Sequence, residues 1–131
     1  MKRHILMLAV ASLFAAGQAM AMTPEEYKVA KDKVEADYKV DKAKCDAMKY
    51  NAKDVCQKEA SGKQKVAKAE LENLYKPSDS NARKVEMEKV EAAYAVAKEK
   101  CDDLNGDAKN ACQKQAKADE TKGKADLRAS K

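Results

Sequence analysis

Past residue 21 the chain has no histidine, no tryptophan and no phenylalanine; the only histidine and phenylalanine, His4 and Phe14, fall before it. The 4 cysteines are too far apart for the two-to-four spacing of structural zinc sites, no Cys-x-x-Cys exchange motif occurs, and no histidine is available to complete a metal set. Glycine is scarce: Gly106 alone cannot build a phosphate-cradling loop, and no nucleophile elbow appears. No segment after the first stretch is apolar enough to span a bilayer. The basic surplus, 27 Lys and Arg against 22 Asp and Glu, is spread along the chain. A nucleic-acid site would need it gathered into a stripe interleaved with aromatics. These absences leave neither a cofactor site nor a catalytic residue to nominate.

What is present begins with a leader. Residues 1–21 have a basic start at Lys2 and Arg3, an apolar run from Ile5 to Ala16, a helix-breaking Gly17, and Ala19-Met20-Ala21 matching the small-x-small rule of signal peptidase. Cleavage is expected after Ala21, releasing a periplasmic or secreted chain without a lipid-anchor cysteine. Removing Lys2 and Arg3 lowers the net charge from +5 to +3.

Residues 33–60 then return 56 positions later as residues 89–116, aligned without a gap and identical at 16 of 28 positions. Both copies carry Lys-Val-Glu-Ala, then a tyrosine (Tyr38, Tyr94), a cysteine (Cys45, Cys101), Ala-Lys, and Cys-Gln-Lys. This internal duplication divides the chain into the leader 1–21, a repeat over 22–76, a linker over 77–81 and a second repeat over 82–131.

Both repeats read as helix. Thr23 can cap a first helix, with Pro24 at its first position and Glu26 where a capping box needs a carboxylate. Apolar residues recur at helical spacing at Val34, Tyr38, Cys45, Met48, Ala52 and Val55, and again at Val90, Tyr94, Ala97, Cys101, Leu104, Ala108 and Ala111. Acid-to-base pairs one helical turn apart, such as Asp54/Lys58 and Glu120/Lys124, support helix over strand. Pro77 breaks the pattern, and Ser80 or Asn81 can cap the helix resuming at Ala82. The tail from Lys117, with Gly123 and few large apolar residues, is expected to be helical but frayed.

An even cysteine number in an exported chain reads as disulfides. On an unbroken helix Cys45 and Cys56 would lie about 16 Å apart, whereas a disulfide needs Cα atoms within roughly 7 Å. Two arrangements satisfy the bonds. If each repeat is a helical hairpin, Cys45 meets Cys56, Cys101 meets Cys112, and Val34, Ala30 and Tyr27 fall opposite Ala67, Leu71 and Leu74. If each repeat is one long helix turned back at Pro77, the bonds are Cys45 with Cys112 and Cys56 with Cys101. Asn105-Gly106-Asp107 favours the hairpins, because Gly106 can take the left-handed conformation that ends a helix. Its counterpart Tyr50 is a poor residue for that stop, and if exposed it is the one surface aromatic to nominate as a contact residue.

The carboxylate pairs Glu25/Glu26, Glu70/Glu72 and Asp102/Asp103 lie beside no predicted cleft and read as solvated helix faces. Tyr27, Tyr38 and Tyr94 read as core with their hydroxyls at the edge. Acids and bases alternate around the helices, whereas a membrane-surface helix segregates them opposite bulky anchors.

The stretch Cys-Asp-Asp-Leu-Asn-Gly-Asp-Ala-Lys-Asn-Ala-Cys at 101–112, with its copy at 45–56, resembles a repeat in small exported Ala/Lys-rich proteins of Gram-negative bacteria, TolA-like by composition only. That resemblance implies the compartment and the helices and supplies no activity. The expectation is an all-α periplasmic protein of two tandem helical repeats, forming hairpins or an antiparallel bundle and stapled by Cys45, Cys56, Cys101 and Cys112. A non-enzymatic structural or protein-interaction role in the cell envelope leads. A small periplasmic stress chaperone and a thiol-based metal or redox buffer are the alternatives. Partners are expected to be other proteins, with neither nucleic acid nor stable membrane insertion, and leftover apolar stripe gives a route to homo-oligomers.

Overall fold

The computed structural model describes residues 21–130, so the expected leader lies outside the described residues except for Ala21. Four helices follow in order: α1 (Pro24–Asp46), α2 (Tyr50–Tyr75), α3 (Asp79–Lys100) and α4 (Gly106–Ala129), with a 3-10 turn at Cys101–Asp103. No strand occurs among the described residues. Each helix packs on its neighbour in sequence, α1 on α2, α2 on α3 and α3 on α4, and α1 makes no comparable contact with α4. Short connections make the neighbours antiparallel. The result is an open layer of two hairpins rather than a closed bundle.

The helix ends follow local chemistry. Thr23 Oγ1 accepts from the Glu26 amide at 3.2 Å while Glu26 Oε2 accepts from the Thr23 amide at 2.8 Å, the expected capping box. Between the hairpins the break is shorter than the sequence suggests. Ser78, rather than Ser80 or Asn81, caps α3 by accepting from the Asn81 amide at 3.0 Å. The Asn81 side chain is used differently, donating to the Lys76 carbonyl at 2.7 Å. Residues 79–81, read as linker, are therefore the first turn of α3.

Within each repeat the chain reverses through matching conformations. Lys49 (φ −127°, ψ 157°) and Asn105 (φ −126°, ψ 158°) are extended, and Tyr50 and Gly106 both take φ 56°. The reversals bring Cys45 to Cys56 with Cα atoms 5.4 Å apart and Cys101 to Cys112 at 5.6 Å, and both pairs are disulfides. The long-helix arrangement, with Cys45 joined to Cys112, is thereby overturned. Met48 and Leu104 consequently sit on the exposed turns rather than on a continuous seam.

The pairing register inside the first hairpin is close to the one read from the duplication. Leu71 is buried, but Tyr27 stacks on Tyr75, with ring centroids 4.4 Å apart, leaving Leu74 62% exposed. Only Cys45 and Cys101 are fully withdrawn from water among the described residues, and Ala60, Ala69, Leu71, Val85 and Ala116 are the other buried apolar residues. Most are small, so apolar burial is limited and the crosslinks carry a large share of the stability.

The two hairpins meet along α2 and α3 through small residues. A Cβ built on buried Gly62 would come within 2.8 Å of Ala92 Cβ, so this approach of two helices requires glycine. The tail is helical as expected, α4 continuing to Ala129. Gly123 contributes, since a Cβ there would lie 2.9 Å from Val90 Cγ2, so its missing side chain lets α4 close on α3.

Two outcomes test this packing. Gly62→Ala should destabilise by about 1–3 kcal/mol through overpacking, although an exposed helical glycine replaced by alanine normally gains roughly 0.5–1 kcal/mol. Urea titration followed by circular dichroism gives the sign. Replacing Cys45 and Cys56 together by alanine removes a loop closure worth about 3 kcal/mol. That should lower the melting temperature by on the order of 10 °C.

Candidate functional site

Alternating helix direction puts both disulfide-closed turns at one end of the layer, and the inter-hairpin turn and both described chain ends at the other. At the turn end α2 and α3 are tied directly. Asn51 Nδ2 donates to the Glu99 carbonyl at 3.0 Å, and Lys100 pairs with Glu59 at 3.5 Å. Each turn is also closed by an equivalent ion pair, Lys53 with Asp46 at 3.4 Å and Lys109 with Asp102 at 2.9 Å. Farther down, Lys68 with Glu35 is repeated as Lys124 with Glu91. The duplication thus extends to side-chain contacts, and both turns are firmly held.

On this support Tyr50 stands 90% exposed, and Met48 and Leu104 are exposed at the same end. The left-handed region costs a residue with a Cβ roughly 1–2 kcal/mol. Glycine avoids that cost, and the second hairpin has Gly106 at the equivalent position. Tyr50 therefore bears strain without gaining burial.

The grooves between helices also follow the repeat. A cavity of about 50 Å³ between α1 and α2 is lined by Val34, Asp37, Tyr38, Asp41, Ala60, Lys63, Gln64 and Ala67. Between α3 and α4 a groove of about 210 Å³ is lined by Val90, Ala93, Tyr94, Ala97, Ala116, Asp119 and Glu120, each 56 positions from a residue lining the first. Ala93, Ala97 and Asp119 stand where the first groove has Asp37, Asp41 and Lys63, all three smaller side chains. Both are smaller than sites that enclose a typical small-molecule ligand. A shallower trough of about 460 Å³ crosses the α2–α3 seam over Gly62, Ala92, Ala93, Val96 and Ala97, with Glu59, Lys63 and Lys100 on its rim.

Four of the six paired carboxylates have structural partners. Glu26 caps α1; Glu70 pairs with Lys89 at 3.7 Å, Glu72 with Lys84 at 2.8 Å and Asp102 with Lys109. The Lys117 ammonium lies 5.2 Å from the centre of the Tyr94 ring. Among the described residues no group of three His, Cys, Asp or Glu side chains is placed to hold a metal, no helix is long and apolar enough to cross a membrane, and no cysteine is free.

One polar group is buried beyond what its sequence position suggested. Glu120, 7% exposed, is held by Lys117 at 2.7 Å and Lys124 at 2.8 Å. Its counterpart Gln64 instead donates to Glu35 at 2.7 Å. The Lys117 and then the Lys124 hydrogen bond hold the Glu120 carboxyl below its ordinary value of 4.5, and Lys63 does the same for Asp41. No family model, curated protein or solved structure matches the chain.

The depressed Glu120 pKa fixes the direction of an acid effect. Its contribution is complete above the unfolded-state value and is lost as pH falls through the lower folded-state value. The melting temperature should therefore fall as pH drops below the ordinary 4.5. Glu120→Gln should flatten part of that fall, as measured by thermal melts across the acid range.

Proposed function

We propose that the chain is a non-enzymatic protein of the periplasm that acts by contacting other proteins of the cell envelope through its disulfide-closed end. Export follows from the leader-like residues 1–21, and an oxidising compartment suits a protein whose 4 cysteines are all paired. The observation that carries the contact role is Tyr50, at φ 56° and 90% exposed on a rigid turn. A bulky residue in that backbone region lowers stability, and at 90% exposure its side chain gains almost no burial in return. Strained, exposed residues of this kind are favoured where a side chain must be presented. A tyrosine offers a large contact area at low rotamer entropy together with a hydroxyl, as hot-spot residues do.

A second reading, a small periplasmic chaperone, draws support from the shallow apolar trough over Gly62, Ala92 and Val96, which suits loose contact with unfolded segments. Equimolar suppression of client aggregation tests it.

Site-specific photocrosslinking in intact cells tests the leading proposal. A photoreactive residue at position 50 or 48 should give the same discrete adducts, whereas one at Val29, 70% exposed near the opposite end, should give none of them. Adducts spread equally over all three positions, or none at the turn, would remove the assignment of the turn end as the contact surface.

A further inference from the structure

The two disulfides close loops of equal length through turns of equal conformation, and differ in the residue that takes the left-handed conformation. The loop between Cys45 and Cys56 contains Tyr50 at φ 56°, and the loop between Cys101 and Cys112 contains Gly106 at the same angle. Closure of the first loop therefore holds a side-chain-bearing residue in the left-handed region, whereas closure of the second holds only glycine there. We propose that Cys45–Cys56 is the exchangeable disulfide of the pair, reduced by a dithiol reductant while Cys101–Cys112 stays oxidised, because opening the first turn releases the strain at Tyr50. This inference requires no binding partner and does not rest on the contact role.

The geometry also gives the order of events. Cys45 is fully buried and Cys56 is half-buried, and a groove of about 280 Å³ bordered by Met48 and Glu59 runs along their bond. A thiolate of the reductant attacks Sγ of Cys56, the S–S bond breaks, and Cys45 leaves as a thiolate that takes up a proton. The second thiolate of the reductant then attacks its own sulfur in the mixed disulfide. Cys56 is released and protonated, and the reductant becomes a cyclic disulfide. Two electrons pass from the dithiol to the cystine.

In the reduced form the α1–α2 turn is held by the Asn51–Glu99 hydrogen bond and the Lys53–Asp46 ion pair, both within reach of water, while α3 and α4 stay stapled. The first hairpin is thus the one whose turn can reorganise under reducing conditions.

Equilibration of the oxidised protein in graded dithiothreitol redox buffers, followed by acid quench, alkylation and peptide mass spectrometry, reads both bonds in one sample. Cys45–Cys56 should have a reduction constant about tenfold larger than Cys101–Cys112, equivalent to about 30 mV. Tyr50→Gly should bring the two bonds to within about twofold of each other, and Gly106→Ala should move the second bond towards the first. Circular dichroism of each oxidised variant confirms that the helices are retained. Equal constants in the natural protein, the reverse order, or a tenfold gap that survives Tyr50→Gly would each overturn the proposal. The equilibrium readout separates strain from access, since access alters only the rate.

Discussion

The cross-turn disulfide is the constraint from which the rest of this molecule follows. A hairpin of two Lys/Ala/Glu-rich helices has little to bury, and here the layer is open, so no helix is surrounded by others. In each hairpin the first cysteine, Cys45 or Cys101, is completely buried, and the crosslink fixes where the second helix begins. Once that register is set, Tyr27 reaches Tyr75 at the far end and the Lys–Glu pairs fall into place between. Surface pairs of this kind add little individually. They specify register along a length that the disulfide has already limited.

The second constraint is steric. Two crosslinked hairpins could drift apart, because nothing covalent but the Lys76–Ser78 turn joins them. Their seam avoids this by close approach: Gly62 against Ala92 leaves no room for another methyl group. Close backbone approach multiplies small dispersion contacts, which is how alanine and glycine can substitute for leucine when the helices are near enough. The same device recurs between α3 and α4, where Gly123 lies under Val90.

Much of this was legible in the sequence, and the parts that were not have identifiable causes. The duplication, the capping box at Thr23 and Glu26, and the helix class could be read because each rests on local spacing. Hairpin pairing was favoured through Gly106, since a glycine between two helical stretches carries its conformational meaning on its face. The α3 start is ambiguous in sequence because Ser78, Ser80 and Asn81 are all competent caps, and only the three-dimensional turn decides that Asn81 serves the Lys76 carbonyl instead. Gly123 reads as a weak point in sequence because a helical glycine is costly in isolation, and its partner Val90 lies 33 positions away. Gly62 offered one usable signal, its seven-residue spacing to Ala69, mirrored by Val85 and Ala92 across the seam. Burial of Glu120 had none, since Gln64 at the equivalent position is polar too.

Duplicated hairpins also separate what the fold requires from what one copy has been free to change. Several positions identical in both copies are structural: the cysteines, the Lys53–Asp46 and Lys109–Asp102 pairs, and the tyrosines Tyr38 and Tyr94 lining the grooves. The differences concentrate elsewhere. Asp37, Asp41 and Lys63 against Ala93, Ala97 and Asp119 accompany a change in the size of a groove without a change in the helices around it. Tyr50 against Gly106 is of another kind, because one copy shows that the turn is made most easily with glycine, and the other makes it with the least suitable class of residue. A bulky side chain retained at such a position cannot be explained by turn formation, which it opposes, or by packing, since it is exposed. That leaves the properties of the side chain in solution and the strain it stores in the closed loop, the two features on which the proposed contact role and the proposed exchange of the first disulfide rest.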